Sequence, residues 1–365
     1  LRGGAYGNST LVVVGFSGTI LTSSDGVTWT SRTSGTSDNL SNVTYGNSTF
    51  MAIGNSGTIL TSSDGTGWTA RTSGTTKNLW GVTYGNSTWV ANGDNGTIIS
   101  SSDGTSWDNR TSDSVTTEEF NEVIYENSTF VAFGNSGTIR TSSDGTTWDN
   151  RTSGTSNNLP GGTYGNSIFV TVGNSGTIYT SSDGTTWTSR TSGTSKYLNR
   201  VTYGNSTFVT VGISGTILTS PDNGTTWISR TSGTTNELWG VTYANNTFVT
   251  VGYGGTILTS SDNGTTWTSR TSGTTNNLYG VTYANSTFLT VGQSGTILTS
   301  SDGTTWTSRT SGTTNNLYGV TTTTTTLLAP SSLTATGAAG QVTLDWTAVS
   351  SARGYTVYWD NATGV

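Results

Sequence analysis

Three features of the chain predict an all-β fold assembled from repeated units. A segment of about forty residues recurs along the chain. Trp29, Trp68, Trp107, Trp148, Trp187, Trp227, Trp267 and Trp306 mark its eight copies and lie 39, 39, 41, 39, 40, 40 and 39 residues apart. Each copy holds four short runs rich in Val, Ile, Thr and aromatic residues, separated by Gly, Asn, Ser and Asp. No stretch shows the 3.6-residue apolar period of a helix. Four strands in a repeat of this length make one blade of a β-propeller. A lone blade cannot bury its two faces, whereas a closed ring hides the faces that an open β-solenoid would leave bare. The expected architecture is an eight-bladed β-propeller of four-stranded antiparallel blades over residues 1–316.

The unit at 238–277 shows the elements in order. Strand A is LWGVTY, B is TFVTVG, C is GTILTS and D is TTWTSRT. Runs such as FVTVG and GTILT are apolar or β-branched on both faces, which suits a sheet sandwiched between neighbours. Strand A leads into GNST, ANNT or ANST, the residue chemistry of a tight hairpin. That turn also writes N-x-S/T sequons at Asn8, Asn47, Asn86, Asn127, Asn205, Asn245 and Asn285. They are read as turn residues, glycosylated only where the host's pathway does so. Strand C leads into a box whose commonest form is SSDGTTW. Strand D carries one arginine per unit: Arg32, Arg71, Arg110, Arg151, Arg190, Arg230, Arg270 and Arg309.

The box aspartates are Asp25, Asp64, Asp103, Asp144, Asp183, Asp222, Asp262 and Asp302. Glycoside hydrolysis needs two non-equivalent carboxyl groups about 5–9.5 Å apart. Equivalent aspartates on separate blades offer neither closeness nor asymmetry. They are expected to accept from backbone N–H groups of the C–D turn. The box glycine supplies the turn conformation and the tryptophan packs between sheets. The box S-x-D-(x)-G-x-T-W resembles the Asp-box, or BNR, repeat of sialidases and many secreted propellers. The whole unit, L-W-x-V-x-Y…F-V-x-V-G-x-x-G-T-I-L-x-S-x-D-G-x-x-W, is similar to the photosystem II assembly-factor-like propeller repeat in every copy. The resemblance implies the propeller and a structural box. It implies no single activity, because such repeats serve enzymes, assembly factors and adhesins. A sialidase-like site would need arginines converging on the channel, and here they stand one per outer strand.

Composition narrows the function classes. The chain has 365 residues, 9% of them charged, and a net charge of −6. Ordinary globular proteins carry about 25% charged residues. An acidic balance argues against nucleic acid and anionic membrane as partners. No apolar run approaches the roughly 20 residues of a membrane-spanning helix. With no His and no Cys, the usual zinc sites and the Ser–His and Cys–His nucleophile systems are excluded. No catalytic residue, metal or cofactor is expected. Without an initiator Met or a signal peptide, the chain is expected to be a mature or clipped piece of a longer protein.

Function is sought where the repeats differ. Two positions vary most, the residue opening the B–C turn and the residue after the first Leu or Phe of strand A. Alternating strand directions put both on one face, with the boxes and A–B turns on the other. Ligands usually bind on loops over a rigid scaffold. The candidates there are Phe16, Trp80, Trp239, Tyr253 and Tyr279, with Asp94, Glu122 and Arg200 as polar members. The D–A connection SDSVTTEEFNE adds Glu118 and Glu119. No basic docking patch is visible, since Arg2, Arg140 and Arg200 are scattered.

At 317 a ninth repeat begins as LYGV and dissolves into a Thr-rich linker, 317–329. Residues 330–365 resemble the opening of a fibronectin type III domain, with Trp346 and Tyr355 as core aromatics. This segment is expected to be a partial sandwich, since such a domain needs about 100 residues. The function expected is a non-catalytic, extracellular or cell-surface binding propeller, monomeric within a longer multidomain chain, that takes a glycan or an extracellular protein. The alternatives are a propeller glycosidase or accessory module of one, and an assembly or docking scaffold.

Overall fold

The computed structural model describes residues 2–110, 117–318, 334–338 and 341–345. The chain divides into two units, Leu1–Thr323 and Thr324–Val365. In the first, the described residues form eight four-stranded antiparallel blades in sequence order. Blade two is typical: strand A is Leu40–Gly46, B is Thr49–Gly54, C is Ile59–Ser62 and D is Thr69–Arg71. Strand C is buried throughout and B at all but its first residue, whereas D is largely exposed. The A strands adjoin one another around the channel, and those of blades one and two pair in parallel through Arg2↔Asn42 and Gly3↔Val43.

The core lies between blades, which is why B and C are apolar on both faces. One layer joins Val12, Val14 and Ile20 of blade one to Leu40, Val43, Phe50 and Leu60 of blade two. Phe50 is fully buried, with ring centroids 4.6 Å from Tyr45 and 6.5 Å from Trp68. The same Tyr–Phe–Trp ladder recurs in blades four, five, seven and eight.

Turn chemistry sets the two faces. The A–B turns are two residues long, both left-handed, with φ of 45° at Asn47 and 56° at Ser48. That conformation matches the twist of the hairpin. On their face Asn86 Nδ2 donates to Ser143 O of the next blade's box at 3.1 Å. On the opposite face the D–A connection of one blade supports the B–C turn of the blade before it. Ser56 N donates to Asn78 Oδ1, and Ser136 N to Asn158 Oδ1, both at 3.0 Å.

Ring closure corrects one expectation. Strand A of blade one, Arg2–Gly7, pairs with strand B as anticipated. Leu317, assigned to a linker outside the sheet, nevertheless bridges Gly15 and is fully buried. Phe16 N donates to Asn316 O at 3.1 Å, Tyr318 N to Val14 O at 3.1 Å, and Asn315 Nδ2 to Thr19 Oγ1 at 2.9 Å. Residues 315–318 therefore act as the D–A connection and strand-A start of blade one. In the second unit, Thr334–Ala338 pairs antiparallel with Gln341–Asp345. The linker from 319, and the fibronectin-like reading of 330–365 with Trp346 and Tyr355, otherwise lie outside the described residues.

Candidate functional site

A β-bulge shapes the channel mouth. In blade two the register passes from Leu40↔Gly54 to Asn42↔Ile53, so Ser41 is the extra residue. The same shift leaves Trp80, Asn121, Asn199, Trp239 and Tyr279 unpaired at the start of their strands. Bulges re-aim a side chain away from the regular faces of a sheet. The preceding Leu or Phe stays locked in the core while the bulged residue is released from it. That is why the bulge position varies while the core residue before it stays Leu or Phe.

Four of the predicted aromatics come together, joined by one that the sequence reading missed. Ring centroids run from Phe16 to Tyr318 at 4.7 Å, Tyr318 to Tyr279 at 5.2 Å, Tyr279 to Trp239 at 5.5 Å and Trp239 to Tyr253 at 6.2 Å. The row crosses blades one, eight and seven. Tyr253 is 55% exposed, and the other four rings are half-buried. Below Trp239 and Tyr279 come Gly240 and Gly280 of the same strands. A Cβ at Gly240 would stand 3.2 Å from Val281 N, so glycine lets the two strands approach closely enough for the rings to meet. Buried Thr250 and Thr290 fasten these strands, each donating at 2.8 Å to the carbonyl of Gly240 or Gly280. Tyr318 was legible in principle, because LYGV at 317–320 repeats LYGV at 278–281.

The polar candidates occupy another arc. Trp80 stands apart from the row and donates its Nε1–H to Asp94 Oδ1 at 2.6 Å, while Asn78 Nδ2 donates to Asp94 Oδ2 at 2.9 Å. Glu119 accepts from Asn135 Nδ2 at 3.4 Å. Its carboxyl is pushed above the usual range, first by burial and then by the Asp94 charge. Glu122 and Arg200 converge on blade five from either side. Glu122 Oε2 accepts from Gly162 N at 2.9 Å, and an Arg200 guanidinium N–H donates to Pro160 O at 3.0 Å. A Cβ at Gly161 would lie 1.7 Å from Glu122 Oε2, so the side-chain-free run Gly161–Gly162 accommodates the carboxylate.

The boxes lie on the face away from this site and divide their work between two residues. Asp302 Oδ1 accepts from Thr304 N at 2.8 Å and Thr305 N at 3.0 Å, both exposed. The buried donor, Gly303 N, goes to Ser300 Oγ at 2.8 Å, and Ser300 in turn donates to Asp302 Oδ1 at 3.0 Å. The aspartate therefore accepts from backbone N–H groups of the C–D turn as expected, and serine adds the cap of the buried donor. These bonds depress the acids: the Thr66 hydroxyl, then the Thr66 N–H, hold Asp64 down at about 2. In all eight blades the D-strand arginine donates its Nε–H to a strand-C hydroxyl, as Arg71 does to Thr61 Oγ1 at 2.8 Å. The arginines thus brace the outer strands. Open grooves between neighbouring D–A loops, such as the one lined by Thr36, Ile59, Arg71 and Ser73, recur between other blades. They follow from the repeat and mark no specialised place.

A family model described as Photosynthesis system II assembly factor YCF48 matches residues 61–326. Among solved structures, YCF48 bound to D1 peptide is 19% identical, with 72% of this chain and 92% of that one covered and a TM-score of 0.57. YCF48 from Cyanidioschyzon merolae is 16% identical, covering 66% of this chain and 88% of that one at a TM-score of 0.53. The computationally designed Ika8 protein is 12% identical, covering 87% and 96% at a TM-score of 0.66. At these identities the likeness is one of fold. A search of curated proteins gave no significant match.

Proposed function

We propose, for a chain that belongs to the Photosynthesis system II assembly factor YCF48 family, that the channel mouth docks a segment of another polypeptide and that the propeller is its rigid scaffold. One observation carries this reading: the continuous row from Phe16 through Tyr318, Tyr279 and Trp239 to Tyr253. It stands at bulge and turn positions where most other blades carry Ser, Asn, Asp, Gln or Pro. Large aromatic rings at such positions are the usual anchors of protein–protein contacts, because they bury much area at little entropic cost. A related fold recorded with a bound peptide supports a polypeptide over a glycan. The proposal includes no catalytic step. It carries with it the secreted or surface setting expected from composition, which fractionation of the native host tests.

The docking role is tested on peptide and glycan arrays with the full chain and its Trp239→Ser/Tyr253→Asn variant. The variant is expected to melt within about 2 °C of the parent, since Tyr253 is exposed and Trp239 half-buried. Peptide binding by the parent and its loss in the variant support the reading. Glycan binding without peptide binding overturns it.

A further inference from the structure

The docking face carries its charges unevenly. Setting aside the eight arginines that brace strand D, the acids among the described side chains of the D–A loops, B–C turns and strand-A starts are Asp38, Asp94, Glu118, Glu119, Glu122 and Glu237, and the bases are Lys77, Lys196 and Arg200. Six acids against three bases leave an excess of three negative charges. The acids concentrate on blades three and four, which stand opposite blades seven and eight in an eight-membered ring. An occupant long enough to cover the mouth therefore meets the aromatic row on one side and the carboxylates on the other. At the centre of the acidic arc, the turn that carries Asp94 is tied to the connection that carries Glu119, since Gly96 N donates to Glu118 O at 2.7 Å; burial and then the Asp94 charge push the Glu119 carboxyl up. Among the described residues their hydrogen-bond donors are Trp80, Asn78 and Asn135, all neutral. Like charges held together without a cation are relieved by one brought from outside.

Resting on the docking reading above, we infer that the docked segment is basic and apolar together: its Lys or Arg lies against the Asp94–Glu119 carboxylates, and its aromatic or aliphatic side chains lie on Trp239, Tyr279 and Tyr318. A neutral glycan would leave the carboxylates uncompensated, and an acidic segment would be repelled. The two arcs also give the contact a direction, because the cationic end must face blades three and four.

The test is panning of the full chain with a phage-displayed library of random peptides. Sequences enriched on the parent are expected to carry net positive charge and at least one aromatic or aliphatic residue. A synthetic consensus peptide is expected to bind about tenfold more weakly to Asp94→Asn/Glu119→Gln, and to weaken as salt is raised. Both substitutions keep side-chain shape, and equal melting temperatures exclude unfolding as the cause. Neutral or acidic consensus sequences, or unchanged affinity for the doubly neutralised variant, overturn the basic segment and leave docking intact. Enrichment no better than on bare resin, or equal on Trp239→Ser/Tyr279→Asn at a matched melting temperature, overturns docking itself. Tyr253→Asn, at the most exposed ring, serves in its place if that pair unfolds.

Discussion

Within the box, serine and aspartate do different work, and the difference is measurable. Ser300 is buried and holds the otherwise orphaned N–H of Gly303, whereas Asp302 caps exposed donors. Stranding a buried donor costs about 1–3 kcal/mol, while an exposed charge-assisted bond is worth about 1 kcal/mol or less. In urea unfolding, Ser300→Ala is therefore expected to cost more than Asp302→Ala; the reverse order would make the aspartate the main cap. The pH profile offers a second test at this scale. Glu126 stands where other blades end strand A with Gly or Ala, and burial pushes its carboxyl from 4.5 up to about 7. Its contribution is full below about pH 4.5 and is lost as pH rises through 7. Asp64 has the opposite sign: its contribution is full above about 3.8 and is lost as pH falls toward 2. The melting temperature should peak between those windows, near pH 4–5, and Glu126→Gln should flatten the fall toward neutral pH. An unchanged fall in that variant would mean that another group causes it.

Among elements, the strands and hairpins were legible and the bulges were not. Strands B and C declare themselves because burial on both faces demands apolar residues at every position. The A–B turns do so because two successive left-handed residues favour Asn and its small neighbours. A bulge leaves no such mark: Leu238, Trp239 and Gly240 read as three ordinary strand residues, and only the pairing of Leu238 with Gly252 and Gly240 with Val251 exposes the extra one. Closure was hidden for a related reason. Both Arg2–Gly7 and Leu317–Tyr318 resemble a strand A, and sequence cannot divide one strand between two ends of the chain. Because Leu317 is fully buried beside Val13 and Val291, Leu317→Ala is expected to cost about 2–5 kcal/mol. That should match Leu40→Ala at the equivalent place in blade two. A negligible cost in denaturant unfolding would remove Leu317 from the ring.

For the whole molecule, sequence repetition made the ring easy to read and the site hard. Eight near-identical units fix the blade count, yet a site lives in departures from the repeat, and drift also makes departures. Trp80 and Trp239 occupy the same bulge position, and their repeats differ at the B–C turn residue fourteen positions on, Asp94 in one and Tyr253 in the other. In space one is tied to Asp94 and the other joins a row of rings. Likewise Glu122 and Arg200 read as ligand candidates, and both are engaged with blade five. The row itself needed Tyr318, which lies beyond the last complete repeat. The central claim is that a polypeptide binds across this mouth. The most direct measurement is hydrogen exchange of the full chain with and without a saturating peptide selected on it. The predicted result is protection strongest at the strand-A starts and B–C turns of blades seven, eight and one, around Trp239, Tyr253, Tyr279, Phe16 and Tyr318, extending to the Asp94 turn where the peptide crosses the mouth, with the boxes and A–B turns unchanged. Protection centred on the boxes, or spread evenly around the ring, would contradict it.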